Sequence, residues 1–274
     1  MVVRTIENTA IHLSEIDMVI VESTAVFMSS YLLSELSLAK IPVVFCDAKH
    51  NPVGQYVSLY GSHDTSRRVK EQANWCQLNK DVLWQKIVQS KICNQARNLE
   101  YQGLTQASAL WEFASQVELG DKTNREGHAA KVYFNALFGK DFSRNLENGI
   151  NARLDYGYAI LMAWMNREIV SRGYVTQLGI SHRNDFNNFN LGCDFMEPFR
   201  PLIDQYVLLD IEGSLTKEVR QEVIRLFDTH HSFNGGNYHL TSVFSLYVKT
   251  NLGILSGRID PNEYMDFILC EYDL

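Results

Sequence analysis

The residues best suited to chemistry lie between Gly179 and Asp204, in the stretch GISHRNDFNNFNLGCDFMEPFRPLID. It opens on His182, in a run of Asn and Asp too polar for a core element, and then turns apolar around Asp194 and Glu197. Those two acids are spaced i, i+3, which on a helix puts both carboxylates on one face. Pro198 and Pro201 follow at i+4 from each acid and cannot donate to their carbonyls. Two local readings are open: one helix that kinks here, or a helix that starts at Pro198 with Glu197 near its cap. In either case the acids sit where the backbone is irregular and polar groups need partners. A lone histidine near two acids is more often a hydrogen-bonded surface residue than a ligand, so a third group decides the matter.

That group is Glu126, in TNREGHAAKVYFNALFG. Thr123 and Glu126 have the T-x-x-E spacing of a capping box, so Glu126 has a purely structural reading as the cap of its helix. Against it, Ala130, Tyr133 and Leu137 follow at i+4, i+7 and i+11, and Glu126 heads the stripe that faces the core. A carboxylate aimed at an interior needs a partner, and a cation is an obvious one.

The elements that must position these residues fall into two groups. Met18–Glu22 and Val43–Asp47 are short β-branched runs that read as strands, with a helical pattern over Ala25–Ala39 between them. That order allows a parallel pair, although a small sandwich is equally open. The pattern breaks from Asn51 to Lys70, with Asn-Pro, Gly54, Gly61 and SHDTSRRVK, and the expected boundary divides residues 1–66 from 67–274. Beyond it nearly everything reads as helix. Leu83, Trp84, Ile87, Val88 and Ile92 form one stripe, and Ala107, Leu110, Trp111 and Ala114 another. Val219, Val223, Ile224 and Phe227 follow, then Leu240, Val243, Phe244 and Tyr247. Ile150–Val170 is apolar nearly all round and should be the central helix. The fold class expected is α+β: a small N-terminal β-rich domain followed by a larger helical one.

Bulk properties agree with an ordinary globular chain. Of 274 residues, 46% are apolar and 21% charged, enough for a sizeable core. The five cysteines are scattered without a C-x-x-C pair, which reads as reduced thiols in a cytoplasmic protein. No cleavable signal opens the chain, and its longest apolar run, Tyr158–Met165, is too short to cross a bilayer. The net charge of −7 weighs against nucleic acid, but it leaves local patches free. Arg67, Arg68 and Lys70 cluster at the expected boundary, while Arg125, Lys131 and Arg183 stand beside the candidate acids and histidine. Each is most simply a solvated surface charge. Together they are candidates for a DNA track on an acidic body.

The segments NREGHAAKVYFNALFG, INARLDYGYAIL and GISHRNDFNNFNLGCDFMEPFRPLID resemble the CRISPR-associated integrase of spacer acquisition, in the form found in type II systems. The resemblance runs from IHLSEIDMVIVE to the closing helices. It implies a small β domain, a helical domain, and a metal site of Glu, His and Glu or Asp. Matched motif by motif, the ligands are Glu126, His182 and Glu197, with Asp194 a supporting acid. The resemblance further implies DNA held by a homodimer together with a small ferredoxin-like partner protein. One departure is that family members usually open with an extra β hairpin before the strand corresponding to IHLSEID. Here only Met1–Ala10 precede it, so the β domain is expected to be short.

One imidazole and two carboxylates suit Mn²⁺ and tolerate Mg²⁺. The reaction implied is attack of a DNA 3′-hydroxyl on a phosphodiester at a repeat edge, with His182 either a ligand or a general acid. A stand-alone nuclease acting on branched DNA and a non-catalytic DNA-binding scaffold are the competing readings.

Overall fold

The computed structural model describes residues 1–4, 8–48, 50–59, 61–209 and 213–270. The chain is α+β, with short strands near the N-terminus and a helical remainder. β1 (Val2–Arg4) and β2 (Asn8–Ala10) pair antiparallel, so the first ten residues do carry a small pair of strands. IHLSEID is not a strand. Leu13–Glu15 forms one 3₁₀ turn, because His12 and Glu15 cap each other and the backbone donors are satisfied locally.

β3 (Val19–Val21) and β4 (Val43–Cys46) form the parallel pair that the sequence allowed, joined through α1 (Ser30–Leu38). The helix starts five residues later than its pattern suggested. Ser29 caps it, its hydroxyl accepting from Leu32 N at 3.1 Å. β5 (Pro52–Tyr56) completes a three-stranded sheet antiparallel to β4, rather than a sandwich. Pro52 starts an edge strand, where a missing N–H costs no ladder bond. Leu36, Ile41 and Val43 form a small core of their own under this sheet.

SHDTSRRVK breaks the apolar pattern, yet it is largely helical. α2 (Thr65–Ala73) runs through Arg67, Arg68 and Lys70. Asp64 sits at its N-terminus and pairs with Arg67, and with Arg68 at 3.1 Å. An acid at the positive end of a helix is itself favourable.

The helical part is built on α3 (Gln77–Tyr101), which packs against α4 (Ala107–Ser115) and α5 (Arg125–Phe138). Leu83, Ile87, Val88 and Ile92 on α3 are fully buried, each worth roughly 1.5–3 kcal/mol in transfer terms. α6 (Gly149–Ser171) is the central helix expected from its composition, buried on most of its faces. α7 (Asn190–Met196) and α8 (Arg200–Leu208) pack on it, followed by α9 (Lys217–Arg225).

Before α10 (Leu240–Leu255) the chain makes a hairpin that was not expected, β6 (His230–Phe233) with β7 (Gly236–His239). Its turn residues, Asn234 and Gly235, both have positive φ. That is the Asn-Gly chemistry that matches the twist of a two-residue hairpin. All five cysteines are free thiols. Among the described residues no helix is long and apolar enough to cross a membrane.

Candidate active site

Three elements bring the candidate residues together: α3, the start of α5, and the α7–α8 junction. At that junction neither reading of the prolines holds alone. α7 ends at Met196, Glu197–Phe199 makes one 3₁₀ turn, and α8 begins at Arg200. The carbonyl of Pro198 accepts from Asn94 Nδ2 of α3 at 2.9 Å, which ties the irregular turn to the central helix layer.

Glu126 does not cap α5. Asn124 is the cap, held at φ 52°, with its side-chain oxygen accepting from Gly127 N. The carboxylate of Asp121 accepts from Arg125 N at 2.8 Å and from Glu126 N at 3.1 Å. With the helix end satisfied by others, the Glu126 side chain reaches inward, and its Oε1 lies 2.6 Å from Nζ of Lys91. Glu197 Oε2 lies 2.5 Å from the same ammonium. Two carboxylates from different elements thus share one cation, in a pocket where the Glu197 side chain is 3% exposed. The other Glu197 oxygen takes Nε of Arg200 at 3.0 Å.

The electrostatics follow from this. Burial would raise the Glu197 carboxyl, but Arg200 and Lys91 overcome it and hold its pKa at about 2. For Lys91, burial works to lower the pKa, and Glu197 and Glu126 reverse it, leaving it raised.

His182 is placed by Asp194, which is completely buried. Nδ1 of His182 donates to Asp194 Oδ1 at 2.7 Å, and the same carboxylate accepts backbone N–H groups from Ile180, Ser181 and His182. The loop can close this tightly because residue 179 is glycine. A Cβ there would stand 2.4 Å from the His182 carbonyl oxygen and 2.8 Å from Asp194 Oδ2. The hydrogen bond to Asp194 raises the His182 pKa against the opposing effect of burial, with further contributions from the charges of Glu197 and Glu126. Trp84 meets the imidazole edge-on, with ring centroids 5.9 Å apart.

Among the described residues no three His, Cys, Asp or Glu side chains stand close enough to hold an ion as placed, since the two glutamates close on Lys91. The donor set still suits a divalent cation. Two carboxylate oxygens already converge on a positive charge, and His182, with Nδ1 engaged by Asp194, keeps Nε2 for the site.

The basic candidates separate. Arg67 and Arg68 are in ion pairs with Asp64, and Arg68 also with Glu71. Arg125 lies over the ring of Phe113 at 5.7 Å. Lys70, Lys131 and Arg183 are exposed.

Sequence reasoning missed Lys91 and Arg200. The signal for Lys91 was present: it falls at i+4 from Ile87, on the buried stripe of α3, where a lysine has no solvent to reach.

The chain matches the family described as CRISPR associated protein Cas1 over residues 1–221. It is 35% identical over 246 residues to the CRISPR-associated endonuclease Cas1 of Neisseria meningitidis serogroup C (strain 8013), covering 88% of this chain and 80% of that one. To a CRISPR-associated endonuclease Cas1 of Pyrobaculum aerophilum it is 29% identical, covering 72% of each. Among solved structures, a casposase bound to integration product superposes with a TM-score of 0.77 at 18% identity, over 94% of this chain and 82% of that one. A Cas6-RT-Cas1–Cas2 complex gives 0.69 at 20% identity, over 94% of this chain and 32% of that one. The fold is a helical domain behind a small β sheet, shared with these solved structures, and its relatives by sequence are named CRISPR-associated endonucleases. The chain belongs to the Cas1 family.

Proposed function

We propose that this chain is a divalent-metal-dependent DNA integrase that inserts new spacer DNA into a CRISPR array. A 3′-hydroxyl of the incoming DNA attacks a phosphodiester at a repeat edge and displaces the oxygen on its other side. The observation that carries the reading is the pair Glu126 and Glu197, drawn from separate elements onto a single buried cation beside an acid-oriented histidine. Two acids gathered on one buried cation have little use in packing, but they suit chemistry on a polyanion.

In this reading Glu126, His182 and Glu197 hold Mg²⁺ or Mn²⁺. When bound, the ion would supply charge stabilisation at phosphorus and activation of the hydroxyl. The protein's own groups do the positioning. Asp194 holds His182 in one orientation, presenting Nε2. Arg200 occupies one oxygen of Glu197 and leaves the other for the site. Trp84 walls the imidazole on one edge. Residues 1–66 and 67–274 act as the β-rich and helical domains of a homodimer that works with a small ferredoxin-like partner. One neighbouring structure is a casposase bound to integration product and another a complex that includes Cas2, which supports an integration substrate and a separate partner protein.

The test is a mixture of chain, partner protein, prespacer duplex and repeat-bearing plasmid in Mn²⁺ or Mg²⁺. Joined product is expected, lost in Glu126→Ala, His182→Ala and Glu197→Ala, each still folded. Cleavage without joining would make the chain a nuclease. DNA binding with neither would leave a scaffold.

A further inference from the structure

The ammonium of Lys91 lies where the two carboxylates would otherwise need a metal. It is 2.6 Å from Glu126 and 2.5 Å from Glu197, on a side chain that is 9% exposed. Arg200 completes the cluster through the second oxygen of Glu197. In this arrangement two carboxylates face two cations, and the charges cancel before any divalent ion arrives.

We propose that Lys91 is an internal counter-ion that makes divalent-metal loading depend on nucleic acid. It holds Glu126 and Glu197 together in the free protein and gives up at least one of them when metal and phosphate enter. This rests on the reading of Glu126, His182 and Glu197 as a metal site. Charge balance in a low-dielectric pocket sets the competition. A divalent ion entering a cluster that is already neutral must compete with Lys91 for oxygen. It must also leave uncompensated positive charge in a place where charge is poorly solvated. A DNA phosphate supplies the missing negative charge, so ion and phosphate load together. Lys91 is therefore a positioning residue: it acts on the ligands and not on the substrate.

Mn²⁺ titrations by calorimetry test this. They use wild type and Lys91→Met, each with and without a duplex that lacks 3′-hydroxyls, and the signal of duplex alone is subtracted. Removing the competing ammonium should tighten Mn²⁺ binding to the DNA-free protein by about tenfold or more. The duplex should tighten wild type by a comparable factor and Lys91→Met by much less. In EDTA, Lys91→Met should melt several degrees below wild type and recover in saturating Mn²⁺, because the two carboxylates have lost their cation. A purely structural lysine would lower melting without improving metal affinity.

If Lys91→Met binds Mn²⁺ no tighter than wild type, the inference is overturned while the metal-site reading stands. If wild type binds no Mn²⁺ that Glu197→Gln abolishes, both fail together. Should Lys91→Met not fold, wild type labelled at lysine ¹⁵Nζ serves instead. One buried, slowly exchanging ammonium signal must shift when Mg²⁺ and duplex are added together, and much less with Mg²⁺ alone. No such signal, or an equal shift without DNA, overturns the proposal.

Discussion

Nδ1 of His182 donates to Oδ1 of Asp194 across 2.7 Å, and Asp194 has no exposed surface. That carboxylate also gathers three consecutive backbone N–H groups, from residues 180 to 182. It is the anchor of the loop as much as of the ring. Asp194→Asn replaces an all-acceptor group with one that is half donor, so at least one of those N–H groups loses its partner. Unfolding stability should fall by about 1–3 kcal/mol. With His182 as a metal ligand, as proposed, DNA joining should fall by roughly 10–100-fold, the usual cost of losing the partner behind such a histidine. Urea denaturation and a joining assay measure the two separately. Unimpaired joining would show that His182 does not need Asp194 to hold its orientation.

Gly179 makes this closure possible, and Gly179→Ala should undo it. The added methyl would meet the His182 carbonyl oxygen and the Asp194 carboxylate closer than real Cβ contacts allow. The loop must open to admit it, at a cost of about 1–3 kcal/mol for overpacking. The expected result is a variant that stays folded and binds DNA but joins at least about tenfold more slowly, because the imidazole has moved. Joining at the wild-type rate would mean the loop relaxes without moving His182.

The helical part of the fold was legible because its stripes repeat every three to four residues, and α3, α4, α6 and α10 lie where those stripes placed them. The parallel β3–β4 pair is one of the two arrangements that two β-branched runs flanking a helix left open. Other features depended on groups outside the windows that periodicity inspects. The T-x-x-E spacing at Thr123 named a cap, but Asp121 and Asn124 supply it and release Glu126. SHDTSRRVK looked like a broken pattern because its helix is mostly polar and held by local ion pairs, with little apolar stripe to see. Lys91 was only half legible. Its place on the buried stripe of α3, one turn after Ile87, marks it as a lysine in need of a partner, but only the fold shows the two acids that meet it.

A pH effect on stability should come from Asp204, on α8. Burial raises its pKa to about 6, although hydrogen bonds from Tyr158 and Tyr133 act to lower it. In the unfolded chain the same carboxyl titrates near 3.8. Between those values the folded state holds the extra proton, so this residue's contribution is fully present below the unfolded pKa and is lost as pH rises through the folded one. Asp204→Asn mimics the protonated form and should remove that dependence. The variant should match wild type near pH 4 and exceed it by about 2–3 kcal/mol near pH 7. Parallel denaturation curves across this range decide the matter, and a constant difference between the two proteins would refute it.

The salt dependence of DNA binding should separate the basic residues by their present partners. Arg67 and Arg68 are already paired with Asp64 on their own helix, and Arg68 also with Glu71. Using them on phosphate would break those ion pairs, so their net gain is small. Lys131 on α5 and Arg183 next to His182 are exposed. Every phosphate that a substitution leaves unneutralised should flatten the slope of log affinity against log salt by roughly 0.9. Replacing Lys131 and Arg183 together with alanine should therefore reduce the slope by about 2, and should weaken binding about equally for all sequences. Replacing Arg67 and Arg68 together should leave the slope nearly unchanged, with any further change on adding Lys70→Ala limited to about one phosphate. Binding titrations of duplex DNA at several salt concentrations give all three slopes. If the Arg67, Arg68 pair carries the larger change, the DNA path crosses α2 and the ion pairs with Asp64 open on binding.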